Sequence, residues 1–219
     1  METHHGAYSL SAKTPSPASI ARKKRLLNAA RDLFFTRGYE KTTMLDVAKH
    51  AGFSKRTVYL DFESKDDLFG AICEEGLQIL FDSFQRVMSM NCSAEEKLAF
   101  FANAYHAFFV EHNRYFHALF VLATDEILQN MSTAQFGRIQ TLEKNCIGLI
   151  SESIAFGKTQ GIIAEHQDPN ALAVIVWGAL NGVLTLSLNG HRIEMADTDV
   201  NDMYWRAFQL VLRGAQSPL

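Results

Sequence analysis

The sequence predicts an all-α protein of about nine helices: a three-helix head carrying a helix-turn-helix, then a larger helical bundle. Three observations predict it. Apolar residues recur at helical spacing along nearly the whole chain, and no stretch sustains the period-2 alternation of a half-buried strand. The four prolines, at 15, 17, 169 and 218, fall between the periodic segments rather than inside them. Hydrophobic residues make up 47% of the 219, enough for a sizeable buried core.

The elements follow in order. Residues 1–18, with Thr14-Pro15-Ser16-Pro17 and little periodicity, read as a flexible arm. The first helix is expected from Ser19 to Arg37, with Leu26, Leu27, Ala30, Leu33 and Phe34 inward, Arg22-Lys23-Lys24-Arg25 as a basic start and Gly38 as its stop. Thr43 with Asp46 makes a capping box opening a second helix that ends at Ala51-Gly52. Ser54 opens a short third helix ending near Asp61. Ser64 with Asp67 makes a further box, opening a long helix to about Met90. Helices are then expected near Ser93–Glu111, Arg114–Leu128, Ser132–Gln160, Pro169–Leu188 and Asp197–Arg213. The organisation is an arm at 1–18, a head at 19–66 and a body at 67–219.

Charge is unevenly distributed. Residues 1–65 hold 12 Lys/Arg against 6 Asp/Glu, while residues 66–219 hold 9 against 18, so a basic head sits on an acidic body. That asymmetry suits a chain whose front end meets a polyanion. Cys73, Cys92 and Cys146 are widely spaced and never form CxxC, which argues for a reducing cytoplasm and against a disulfide framework or a zinc site. No metal or cofactor is expected. The apolar run Leu172–Leu188 is interrupted by Trp177, Gly178, Asn181 and Gly182, so it reads as a packed core helix rather than a bilayer span.

The head carries the chemistry. A helix of about eight residues, a glycine turn and another short helix have helix-turn-helix geometry. Gly52 suits the left-handed backbone at the turn. Val47, Ala48, Ala51, Val58 and Phe62 are expected to pack the pair onto Leu27, Leu33 and Phe34. Lys55, Arg56, Thr57 and Tyr59 then fall at the outward start of the third helix, the part that enters a major groove. Thr43 and Ser54 offer helix N-termini to phosphate, and Lys65 adds a cation at the next one.

The run GYEKTTMLDVAKHAGFSKRTVYLDFESKDDLF, Gly38 to Phe69, resembles the DNA-binding signature of the tetracycline-repressor (TetR) family of transcriptional regulators. The matching features are Gly38-Tyr39, Thr42-Thr43, Val47-Ala48, Ala51-Gly52, Ser54, Thr57-Val58-Tyr59, Phe62 and Ser64-Lys65, then an acidic residue and Leu68. With the first helix, the resemblance covers about Ser19 to Ile72. It implies DNA contacts by Thr43, Lys55, Arg56, Thr57, Tyr59 and Lys65. The sequence departs from many members at Arg56, where a small residue or glycine is common, and at Leu60, where an aromatic is.

The resemblance also implies a C-terminal body that dimerises through its last two helices and binds a small effector. Gly178 and Gly182, on one face with Ala171, Ile175 and Thr185, are the expected contact with a second copy, joined by Trp205, Phe208 and Leu212. Internal packing within one subunit is the alternative. The aromatic run FFANAYHAFFVEHNRYFHALF is mostly core by composition, and Phe101, Tyr105, His117, Trp177 and Asn181 are the candidate lining of a pocket for a hydrophobic or aromatic compound. The expected mechanism is release from DNA when effector binding tilts the fourth helix.

The implied function is a ligand-responsive repressor that binds a pseudo-palindromic operator as a homodimer, with no membrane partner. An all-α interaction module without DNA binding is the alternative. It leaves the basic head unexplained. An enzyme is less well supported: Glu111-His112 and Asp125-Glu126 are adjacent pairs that diverge on a helix, and no GxSxG, P-loop or HExxH occurs.

Overall fold

The computed structural model describes residues 16–188 and 199–216. Within them the chain divides into two compact units between Asp61 and Phe62. Residues 1–15 of the expected arm lie outside the described part. Its last residues are not an arm at all: helix α1 begins at Pro17, because Ser16 accepts a hydrogen bond from the Ser19 N–H and proline suits a first helical turn.

The first unit holds α1 (Pro17–Arg37), α2 (Met44–Ala51) and α3 (Lys55–Tyr59). Leu26, Ala29, Ala30, Leu33 and Phe34 form the buried stripe of α1. Ala29 replaces the expected Leu27, which is half-buried, because the i, i+3, i+4, i+7, i+8 repeat starting at Leu26 selects it. Met44, Val47, Ala48 and Ala51 of α2 and Val58 of α3 complete this core.

The second unit holds α4 (Lys65–Met88), α5 (Ala94–Glu111), α6 (Asn113–His117), a π-helical segment (Ala118–Leu122), α7 (Asp125–Gln129), α8 (Thr133–Thr159), α9 (Pro169–Leu188) and α10 (Val200–Gln216). Helix α8 packs on α4, α5 and α9, and α10 lies on α9. The helix expected from Arg114 to Leu128 is broken in three. The Ala123 N–H bonds to the Ala118 carbonyl, five residues back, and Thr124 then leaves helical geometry to cap α7 above Asp125 and Glu126.

The Ser64–Asp67 box is one-sided. Ser64 does accept from the Asp67 N–H (3.0 Å), but the Asp67 carboxylate accepts from the Ser132 N–H at 2.7 Å, at the start of α8. A buried side chain in α4 therefore caps a helix 65 residues away. Gly70 makes that approach possible, since a Cβ there would meet Gln135 and Met131 at 2.8 Å. At the other end of α4, the buried Lys97 donates to the carbonyls of Val87, Met88 and Met90, a cation set against the negative end of a helix.

Helix α9 is only half a core helix. By length and composition it suffices to cross a bilayer. Leu172, Ala173, Leu180 and Leu184 are buried, while Ala171, Ile175, Gly178, Gly182 and Leu186 form an exposed apolar stripe at i, i+4, i+7, i+11, i+15. A single protomer covers just one face of it.

Candidate nucleic-acid interface and apolar cavity

In the head, local polar contacts hold the helix-turn-helix. The Thr43 N–H and hydroxyl donate to the Asp46 carboxylate at 3.0 and 2.6 Å, and the Asp46 N–H returns to the Thr43 oxygen at 3.2 Å. The Thr43 hydroxyl, then its N–H, hold the Asp46 carboxyl below its ordinary range. Gly52 adopts φ 72°, ψ 34°, where a Cβ would be penalised, and the Phe53 N–H reaches back to the Ala48 carbonyl at 2.8 Å.

Arg22 and Arg25, at the start of α1, are engaged inside the head. Arg22 grips Asp61 with two parallel hydrogen bonds, 2.6 and 2.8 Å, fixing α1 to the end of α3. Arg25 donates to the Ala51 carbonyl at 2.9 Å, at the C-terminus of α2, and lies over the Phe53 ring. Sequence reasoning missed both. The spacing of 39 residues between Arg22 and Asp61 leaves no local signal.

On α3, Val58 alone points inward, and Lys55, Arg56 and Tyr59 are exposed. The Lys55 ammonium lies 5.8 Å from the centre of the Tyr59 ring. Thr57 is turned to the helix start, where Ser54 accepts from its N–H and shares a 2.9 Å hydrogen bond with its hydroxyl. Thr43 and Thr57 thus build the N-termini, while Lys55, Arg56 and Tyr59 present side chains to solvent. Leu60, one turn from Arg56, is 68% exposed, a large apolar group that the head's core does not use. Lys65 belongs to the second unit, as the first residue of α4.

In the second unit, aromatic rings from α4, α5 and α9 enclose an apolar cavity of about 20 Å³. Phe101, Tyr105 and Trp177 line it, and so do Phe84, Leu180 and Phe208, which sequence reasoning did not assign there. The Tyr105 hydroxyl donates to the Asn181 Oδ1 at 2.9 Å, joining α5 to α9 across 76 residues. Burial holds the Tyr105 phenol well above its ordinary pKa, so it remains a neutral donor. His117, half-buried on α6, does not line the cavity. The chain turns from α6 into the π segment directly after it, and from that segment Phe120 reaches the Tyr105 and Trp177 rings, at 6.3 and 6.1 Å.

The residues expected at a contact between copies separate into two groups. Gly178 and Gly182 lie open on the stripe of α9, and an added Cβ on either would meet nothing within 4 Å. Phe208 points the other way, buried in its own bundle, and Leu212 lines a second small apolar cavity within the protomer. Trp205 is half-buried against Tyr204, Phe208 and His106. Leu210, 70% exposed, is the large apolar side chain that α10 leaves outside. Helical phase decides this: Tyr204, Phe208, Leu212 and Ala215 run down the side of α10 that faces the bundle. Cys73 and Cys146 are buried thiols, pushed up to about 12 by burial and then by the charge of Glu143, so neither is a poised nucleophile.

A left-handed glycine turn between capped helices, the second of them presenting two cations and a tyrosine outward, is the apparatus of a helix-turn-helix DNA-binding protein. A family model described as bacterial regulatory proteins, tetR family, matches residues 26–72. The chain is 31% identical over 150 residues to the HTH-type transcriptional repressor KstR2 of Mycolicibacterium smegmatis, covering 66% of this chain and 70% of that one. It is 31% identical over 159 residues to the HTH-type transcriptional regulator YhgD of Bacillus subtilis, covering 72% and 80%. Among solved structures, FadR of Bacillus subtilis in complex with stearoyl-CoA superposes with a TM-score of 0.69 at 17% identity, over 87% of this chain and 98% of that one. The chain belongs to the tetR family, and it is a DNA-binding transcriptional repressor.

Proposed function

We propose that this repressor binds a pseudo-palindromic operator as a homodimer and is released by a small hydrophobic effector held in its second unit. In this reading residues 19–66 act as the DNA-binding head, residues 67–219 bind the effector and dimerise, and the protein works in the cytoplasm. The observation that carries it is the outward face of α3. Lys55, Arg56 and Tyr59 project from a helix too short to serve as core, fixed at its start by Ser54 and at its end by the Arg22–Asp61 pair. Two such helices about one turn of duplex apart read the two halves of a palindrome.

Within the contact set, Tyr59, Lys55 and Lys65 meet phosphates and Arg56 meets a base edge, where a guanidinium pairs bidentately with guanine. Thr43 and Thr57 contribute mainly by fixing helix starts beside the backbone. The open stripe of α9 supports dimerisation: Gly178 and Gly182 allow close approach of a second helix, Ile175, Leu186 and Leu210 supply apolar area, and Trp205 flanks them. The apolar cavity supports an effector, and the stearoyl-CoA bound by FadR is consistent with a small-molecule response in this fold. Release requires the effector to bind the DNA-incompetent state more tightly than the DNA-bound one.

Selection of bound fragments from genomic DNA, followed by titration of the selected duplex and sedimentation of free protein, tests the reading. A pseudo-palindromic consensus and a dimer mass are expected. A monomer that binds every duplex equally would refute it.

A further inference from the structure

The walls of the apolar cavity come from five helices, α4, α5, α8, α9 and α10, and none of the side chains lining it is charged. Their polar atoms are the Tyr105 hydroxyl and the Trp177 indole N–H. The Tyr105 hydroxyl donates to Asn181, which follows Leu180 of the lining but does not itself line the cavity, and by its chemistry the pair retains an acceptor on the phenol oxygen and donors on the amide.

Two basic groups close by in sequence are engaged elsewhere. Lys97, one turn before Phe101 on α5, directs its ammonium to the last carbonyls of α4. His106, next to Tyr105 in sequence, holds Asn201 at 2.7 Å. A carboxylate or phosphate entering the cavity would therefore lose its water and find no cation. A flat ring finds the opposite: the Tyr105 and Trp177 rings lie 4.8 Å apart, with Phe84 and Phe101 edge-on to each other beside them.

Size sets a further condition. About 20 Å³ suits one water-sized guest, so a ring compound has to displace side chains. Phe120 is the ring placed to yield: it is half-buried, carried on a π turn, and touches both Tyr105 and Trp177.

We propose that the effector is an uncharged, flat, ring-containing molecule with one hydroxyl or carbonyl group, stacked on Tyr105 and Trp177 and recognised through the Tyr105–Asn181 pair. The proposal rests on the cavity being the effector site. The test is calorimetric titration of the full-length protein at neutral pH with two probes built on the same ring system, 2-naphthol and 2-naphthoate. Naphthol binds at least about tenfold more tightly than naphthoate. Tyr105→Phe and Asn181→Leu each weaken naphthol by about tenfold.

Tighter binding of naphthoate, or full naphthol affinity in both variants, overturns the ligand class while leaving an effector site in place. Binding of neither probe to the wild-type protein overturns both the ligand class and the effector reading of the cavity. The comparison of the two probes on the wild-type protein stands even where a variant fails to fold.

Discussion

In the head, the side chains that fix the backbone are mostly polar and three or four residues from their partners: Thr43 with Asp46, Ser54 with Thr57, Gly52 bonded back to Ala48 and Lys49. In the second unit the fixing contacts are rings and aliphatic groups drawn from helices far apart in sequence, with Phe84 against Phe101 and Tyr105 against Trp177 and Phe116. A reading head has to hold a few outward side chains at defined positions over a small core, and short-range caps do that cheaply in chain length. In the function proposed above, the second unit has to enclose an apolar guest, and only residues from several helices make walls. The two units therefore answer differently to mutation, salt and acid.

The largest effect is expected from Phe84→Ala. It removes a buried ring at the cavity wall and costs about 3–5 kcal/mol. Urea denaturation followed by hydrogen exchange is expected to register the loss in α5 and α9. Equal loss of protection in α2 and α3 would break the contrast. Gly52→Ala is the counterpart in the head. A Cβ at φ 72° costs about 1–2 kcal/mol, and the loss of protection is expected in α2 and α3.

Smaller effects sharpen the picture of the reading face. Lys65→Ala is expected to weaken binding to all duplexes and to reduce the salt slope by about one, whereas Arg56→Ala is expected to relax specificity at one base pair, at a cost of about 1–3 kcal/mol. Filter binding at two salt concentrations separates them, and an unchanged slope for Lys65→Ala would remove it from the phosphate contacts. The smallest effect is in acid. Asp46 is held below the ordinary carboxylate range by Thr43, so the stability it contributes is present above that range and is lost as pH falls through the lowered value. Melting curves from about pH 5 to pH 3 are expected to fall less steeply for Thr43→Ala than for the wild-type protein.

How much was legible in the sequence follows the same division. Helix starts at Thr43, Ser54 and Ser93 and the turn at Gly52 were readable because each signal lies within one helical turn. The Arg22–Asp61 pair, Lys97 on the end of α4 and Asp67 on the start of α8 were not, because each partner is fixed only by the folded arrangement. The break at Thr124 was hidden by continuous apolar periodicity on both sides of it. Of the residues expected at the cavity, Phe101, Tyr105 and Trp177 do line it, since they face inward on two helices of one bundle, while Asn181 stands outside the lining and reaches it only through its hydrogen bond to Tyr105. His117 stands on α6 outside the lining, and Phe208 lies on the side of α10 that faces its own bundle, a phase that the resemblance does not specify.

The Asp67 carboxylate ties α4 to α8. Since a side chain in the first turn of α4 holds the opening N–H of α8, with Gly70 closing the gap between the two, sliding these helices lengthwise would strand a buried anion. Rotation about that shared point leaves the bond intact. The two longest helices of the second unit are thus pinned to each other where α8 begins.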